Sequence, residues 1–300
     1  MNTRGVDQKP SETALFTALR RTIAHLEYNN ERLGPDTLAV KFLPPHFRFF
    51  LKFKKIQQNT KEKLAQFIPG MNEYIIARTA FFDDQLVQAL KNRIPQIVIL
   101  GAGYDSRPYR FAGQNRGSTI FELDAAPTQN RKIRCLKAAH IDKPREVRHI
   151  PINFRNEALG EVLEKAGFKQ QEKTFFLWEG VTYYLDQEAV ARTLEYAGHS
   201  CSQESLIAFD YAIQVPQEEL AKLFGAEVFA KSMQEQHASE EILFSLKPGE
   251  METFLAERGL CMQEHLNNEA IEQKYLLDDH GALIGRMTGI FRFVTASPLR

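Results

Sequence analysis

Along most of the chain, apolar positions fall into short unbroken runs that alternate with amphipathic stretches. The clearest run is Ile97, Val98, Ile99 and Leu100, which leads straight into Gly101-Ala-Gly103. An uninterrupted β-branched run bounded by glycines predicts a strand buried on both faces of a parallel sheet. Similar runs at Ser118–Glu122, Val147–Ile152, Thr174–Trp178 and Ser205–Asp210 predict four more strands. Between them, helical spacing predicts helices over Pro127–Ala139, Glu157–Ala166 and Asp186–Ala197, the last with Asp186 as N-cap. This alternation is the pattern of an α/β fold with a doubly wound, mostly parallel sheet.

Helices dominate the flanks. Ser11 is a suitable N-cap for a helix to about Glu27, with Leu15, Leu19, Ile23 and Leu26 on one face and Arg20 and Arg21 on the other. A second helical stretch covers Asp36–Phe42, and Tyr74–Leu90 reads as one long helix. His46–Phe53 is rich in aromatics, a candidate core segment or lid. After the fifth strand, Ala212–Lys247 reads as a helix-rich insertion. Its Leu223, Phe224, Val228, Phe229 and Met233 suit either a substrate cover or a packing face. A helix from Pro248 through Arg258 follows. Met262–Leu266 and Gly289–Thr295 are β-like and could pair antiparallel at one edge. The expectation is one domain over residues 1–300: a helical cap (1–90), a ligand-binding core (91–210), the insertion (211–258) and terminal strands (259–300).

Composition narrows the function. Lys+Arg and Asp+Glu both total 38, so bulk charge gives no reason to expect nucleic acid or an anionic membrane as partner, although a local basic patch stays possible in principle. Cys135, Cys201 and Cys261 are few and widely spaced, as reduced thiols would be. No apolar run is long enough to span a bilayer. The polar Met1–Pro10, expected to be disordered, lacks a secretory core. A cytoplasmic protein is the expectation. The eight histidines are scattered, so no metal site is expected.

Candidate chemistry gathers at the carboxyl end of the first strand, where open α/β sheets bind ligands. A dinucleotide site wants a third glycine three residues after Gly103, where Ser106 stands, preceded by Asp105. A carboxylate aimed at a pyrophosphate would repel it, which argues against NAD and a dehydrogenase. Asp124 lies at the end of the next strand, where a carboxylate can accept both hydroxyls of a ribose. The spacing therefore supports a nucleoside without a pyrophosphate. Each position also has an ordinary structural use: a turn at the glycines, a surface ion pair for Arg78, an N-cap for Asp124, a turn-bonding carboxylate for Glu179.

Four segments together resemble the leucine carboxyl methyltransferase family of S-adenosylmethionine-dependent methyltransferases, in particular its bacterial O-methyltransferase branch. They are RTAFFDDQL (78–86), VILGAGYDSRPYR (98–110), FELDAAPTQNRK (121–132) and LWEGVTYYL (177–185). The resemblance implies a seven-stranded Rossmann-like sheet with an antiparallel edge and S-adenosyl-L-methionine as cofactor. It implies that Gly101 and Gly103 approach the methionyl part, Arg78 pairs with its carboxylate, Asp124 holds the ribose, and Asn153 and Phe154 meet the adenine. Glu179 would lie near the cofactor. Asn153 departs from the family's usual Asp, but its carbonyl can still accept from the adenine amino group. The implied reaction is O-methylation of a carboxylate or hydroxyl of a small molecule. A protein C-terminal carboxylate, or binding without catalysis, is the alternative. A carboxylate needs orienting donors, for which Tyr183, Tyr184, Arg107 and Arg110 are candidates. A hydroxyl needs a base, for which Glu179, His199 and Asp210 are candidates.

Overall fold

The computed structural model describes residues 9–154, 156–236 and 242–299. Most of the polar N-terminal stretch expected to be disordered, residues 1–8, lies outside them, as does part of the insertion, residues 237–241.

The N-terminal third is helical: α1 (Glu12–Tyr28), α2 (Pro45–Phe50), α3 (Lys54–Phe67) and α4 (Met71–Lys91). The core follows as β1 (Gln96–Leu100), α5 (Arg107–Arg110), β2 (Thr119–Asp124), α6 (Ala126–Ala138), β3 (Val147–Pro151), α7 (Leu159–Lys165), β4 (Thr174–Trp178), α8 (Gln187–His199) and β5 (Leu206–Ile213). The chain then forms α9 (Gln217–Leu220), α10 (Ala226–Gln236), β6 (Ser245–Leu246), α11 (Met251–Ala256), β7 (Leu260–Leu266), α12 (Asn268–Tyr275) and β8 (Phe291–Pro298).

The strands form one sheet in the order β3-β2-β1-β4-β5-β8-β7, with β6 also paired to β5. β1 to β5 run parallel, and β8 and β7 close the edge antiparallel. The anticipated doubly wound sheet with an antiparallel edge is therefore present. β6 is an addition, within a segment that carries no strand signal. It is only two residues long, too short for a period of two to register.

Each residue of β1 is buried, because the strand is central and helices cover both faces. Its register sets Leu100 beside Leu123 of β2 and Ile99 beside Leu177 of β4. The strand order reverses between β1 and β4, so the carboxyl ends of β2, β1 and β4 open a crevice there.

A smaller apolar cluster fastens the N-terminal helices onto this end. Leu19 and Ile23 of α1, Phe42, Leu51 and Leu64 pack with Tyr104 and Leu136. Ser11 caps α1 through the Ala14 amide (3.0 Å), and its own amide donates to Thr128 Oγ1 of α6 (2.9 Å). Arg20 and Arg21 depart from the solvated face expected of them: both are buried. Arg21 donates to the Tyr104 carbonyl at 2.7 Å and pairs with Asp36 at 3.4 Å. Arg20 reaches Asn72 on α4. The aromatic segment 46–53 likewise departs from core: Phe47, Phe49, Phe50 and Phe53 are exposed.

Candidate active site

A cavity of about 420 Å³ occupies the crevice, within the range of roughly 300–1,000 Å³ usual for small-molecule sites. Its floor is the β1 end and glycine loop, Ile99–Asp105. One wall holds Asp124 at the end of β2 and Ala125 after it, with Ile152, Asn153 and Phe154 after β3. The other holds Arg78 from α4 with Glu179, Gly180, Val181 and Tyr184 after β4. All seven residues expected to touch a cofactor, Arg78, Gly101, Gly103, Asp124, Asn153, Phe154 and Glu179, line this one space. Of the four candidate orienting donors, Tyr183, Tyr184, Arg107 and Arg110, Tyr184 alone lines it. Tyr183 is buried behind it, and Arg110 is occupied elsewhere: Nη1 and Nη2 donate to Asp83 (2.8 and 2.7 Å) and Nε to Ser106 (2.9 Å).

Two glycines are required by this geometry. Gly101 has φ of +66°, and a Cβ there would lie 2.4 Å from Val181 Cγ2. Gly180 has φ of +71°, and its Cβ would lie 2.8 Å from Arg78 Nη1. Both positions disfavour any side chain, so the two loops and the guanidinium can close on one another.

Sequence reasoning missed the ceiling of the cavity. Ser11 to Ala14, Thr17 and Arg21, at the start of α1, line it from above. Their signal was faint: Ala14 and Thr17 are small residues on a helix whose apolar pattern points to another neighbour.

Beside the cavity runs a chain of buried ion pairs. Arg78 Nε donates to Glu179 Oε1 (2.9 Å), and Arg107 Nη1 donates to Glu179 Oε2 (2.5 Å). Arg107 is fully buried and also binds Asp105 (2.9 Å) and Asp83 (2.6 Å). Arg78 Nη1 donates to the Tyr183 hydroxyl (3.1 Å) and pairs with Asp210 (3.7 Å). Asp210 in turn accepts from the Gly180 amide (2.6 Å) and the Tyr74 hydroxyl. Asp105 thus does not stand bare toward the cavity, as its spacing suggests, but is held by Arg107. Its repulsion of a pyrophosphate is correspondingly blunted.

This network sets the ionisation of the site. Burial pushes the Glu179 carboxyl up, but Arg107 and Arg78 outweigh it and hold the group below its ordinary range. Asp105 is likewise raised by burial and lowered more by Arg107, to about 2. Asp124 has no such partner. Burial raises it to about 6, although the amides of Gly103 and Ala125 donate to it. Burial also raises the Tyr183 phenol. Counting Asp36, Asp83, Asp105, Glu179 and Asp210 against Arg21, Arg78, Arg107 and Arg110, the network holds five acids and four guanidiniums. With every group ionised it carries one surplus negative charge.

The other proposed bases are placed differently. Asp210 is fully buried behind Arg78, outside the cavity lining. His199 ends α8 and lies against Gly259, at the start of β7. It does not line the cavity.

The family model described as leucine carboxyl methyltransferase matches residues 14–198. The chain belongs to the leucine carboxyl methyltransferase family. A Bacillus subtilis (strain 168) relative named "Putative S-adenosyl-L-methionine-dependent methyltransferase YktD" is 29% identical, over 88% of this chain and 91% of that protein. A similarly named relative from Frankia alni is 33% identical over 49% of this chain, and one from Parafrankia sp. 34% over 61%. The chain spans about half the length of these last two relatives, 52% and 56%. Among solved structures, a protein described as a "putative methyltransferase" from Thermobifida fusca YX superposes with a TM-score of 0.61 at 12% identity, covering 97% of this chain and 96% of that one. A duf574 family protein from Streptomyces avermitilis MA-4680 gives 0.62 at 11%, covering 97% and 98%. At such identity these two speak for the shared fold.

The cavity fits the cofactor of that family. Gly101 and Gly103 leave backbone bare for close approach. Among the described residues no hydrogen bond reaches Arg78 Nη2, which leaves a donor for a carboxylate. With every acid of the network ionised, its surplus negative charge suits a cationic ligand, although burial pushes the Asp210 carboxyl up.

Proposed function

We propose that the protein is an S-adenosylmethionine-dependent O-methyltransferase whose acceptor is a small-molecule carboxylate. Bound S-adenosylmethionine would supply an electrophilic methyl group on a positively charged sulfur. In this reading Arg78 holds the cofactor's carboxylate, Asp124 its ribose, and Asn153 and Phe154 its adenine. The glycine loop gives it room, and Glu179 adds negative potential near the cationic end.

One observation carries the choice of acceptor: no histidine lines the cavity among the described residues, and of its carboxylates only Glu12, in the ceiling at the start of α1, is not already engaged by arginines or backbone amides. Glu179 and Asp105 are held as anions by arginines and are poor proton acceptors. Asp124 is bound to two amides on the opposite, ribose wall. A neutral hydroxyl needs a base, whereas a carboxylate is already ionised and needs only donors to orient it. Tyr184 brings a phenol to that wall. Holding the oxygen in line with the methyl group can account for up to roughly 7–11 kcal/mol of barrier.

The test is turnover of the purified protein with S-adenosylmethionine and matched panels of acids, alcohols and phenols, with methyl products read by mass spectrometry. Methyl esters of small acids support the proposal. Methyl ethers alone overturn it. Esters formed only at a peptide C-terminus move the acceptor class to proteins. Cofactor binding without any product favours a non-catalytic binder.

A further inference from the structure

The exposed aromatic segment beside the site combines two features that neither the cofactor nor the acceptor uses. From Thr37 to Lys61 the sequence contains no acidic residue, but it carries Lys41, Arg48, Lys52, Lys54, Lys55 and Lys61. The chain as a whole has zero net charge, so this run holds a concentrated excess. Of the six cations, Lys61 pairs with Glu27. Among the described residues Lys41, Arg48, Lys52, Lys54 and Lys55 have no acidic partner. The flanking acids are engaged elsewhere: Asp36 is buried against Arg21, and Glu62 accepts from Gln58 (2.8 Å).

The same run exposes four large apolar rings. Phe47, Phe49, Phe50 and Phe53 are 41%, 55%, 50% and 52% exposed, on α2 and the turn after it. Leu51 anchors this segment in the apolar cluster beneath. Phe49 meets Phe50 and Phe53 edge to face, at 5.7 and 5.8 Å between centroids. Such a patch costs solubility unless something covers it. An open groove of about 640 Å³ adjoins it, lined by Leu26, Val40, Lys41, Arg48, Phe49 and Lys52, among others.

We propose that residues 41–55 dock the protein on an anionic lipid surface. Interleaved phenylalanine and lysine suit the interface of a bilayer. The rings enter the acyl boundary, while the ammonium groups stay at the level of the phosphates. The groove offers cations over an apolar floor, the complement of an acidic headgroup above its acyl chains. Edge-to-face rings make a wedge rather than the flat platform on which bases stack, which favours lipid over single-stranded nucleic acid. Among the described residues no helix is long and apolar enough to cross a membrane, so the attachment is peripheral. Together the two features supply the paired signals, apolar and polybasic, that stable surface binding requires. The reading reverses the expectation from net charge, because a zero sum hides a segregated patch.

The experiment is co-sedimentation of the full chain with vesicles of phosphatidylcholine alone or mixed with phosphatidylglycerol. Two variants are run beside it, Lys52→Glu/Lys54→Glu/Lys55→Glu and Phe49→Ser/Phe50→Ser/Phe53→Ser. All altered side chains are exposed, and retained S-adenosylhomocysteine binding checks folding. The expected result is binding to the acidic vesicles only, weakened by salt and reduced by about tenfold or more in each variant. The proposal is overturned by an unbound wild type, or by equal binding of wild type and both variants. It is also overturned if the patch instead mediates self-association without lipid, or retains single-stranded RNA while ignoring vesicles.

Discussion

Arg78 and Glu179 are 101 residues apart in the chain, and their side chains meet at 2.9 Å on the wall of the cavity. Neither is spare. Glu179 also takes Arg107, and Arg78 also serves Tyr183 and Asp210. The pair is a joint between helix α4 and the β4 loop as well as part of the proposed site.

Removing Arg78 should therefore show in two measurements. Arg78→Ala leaves buried Glu179 and Asp210 short of a partner, which costs about 3–5 kcal/mol of stability by chemical denaturation. In the fraction that folds, titration should give weaker S-adenosylmethionine binding by about tenfold or more. An analogue lacking the methionyl carboxylate should lose much less. Equal losses for both ligands would take Arg78 away from that group.

Asp124 gives a pH signature. Burial raises its carboxyl to about 6, so it is an anion above that pH and neutral below it. Only the anion accepts fully from ribose hydroxyls. Affinity for S-adenosylhomocysteine should fall as pH drops through about 6, and Asp124→Asn should be weaker and flat across that range. In the free protein the sign of the linkage is opposite. The folded carboxyl holds its proton more tightly than the unfolded one, so this group's contribution to stability declines as pH rises from about 4 to about 6. A variant as pH-sensitive in binding as the wild type would remove Asp124 from the site.

Gly101→Ala should abolish measurable cofactor binding and destabilise the fold by about 1–3 kcal/mol, since it adds strain at positive φ to a clash with Val181. Adding Val181→Ala should recover part of the stability, because the clash is removed while the strain is left. No recovery in the double variant would mean that φ alone is responsible.

The ceiling formed by α1 can be probed with one substitution. A Cβ on Gly103 would lie 3.4 Å from Ala14 Cβ, so the helix sits close over the glycine loop. Ala14→Phe should weaken cofactor binding by about tenfold or more. Phe16→Ala, on the exposed side of the same helix, should leave it unchanged. Equal binding in both would mean that α1 swings clear of the cavity.

The sheet was legible because most of its parallel strands are short apolar runs, with β1, β2 and β4 ending at glycine or acidic residues. The wall residues other than Arg78, which lies within α4, were legible because their motifs lie at strand ends, which the sheet brings together. What could not be read was pairing between distant segments. Arg21 looks like surface on a helical wheel, and only the fold brings it to the Tyr104 carbonyl and Asp36. Asp105 reads as a bare carboxylate until Arg107 is seen folded back onto it. The cationic run at 41–61 cancels in the net charge and emerges only when neighbouring exposure is known.

The crevice between the β1, β2 and β4 ends is the proposed binding site for S-adenosylmethionine. Calorimetric titration of the purified protein with S-adenosylhomocysteine, with Asp124→Ala and NAD as controls, is the decisive experiment. A dissociation constant on the order of micromolar is expected, with a loss of about tenfold or more in the variant and no heat with NAD. Undiminished affinity in Asp124→Ala, or no binding by a folded wild type with or without candidate acids, would contradict that assignment.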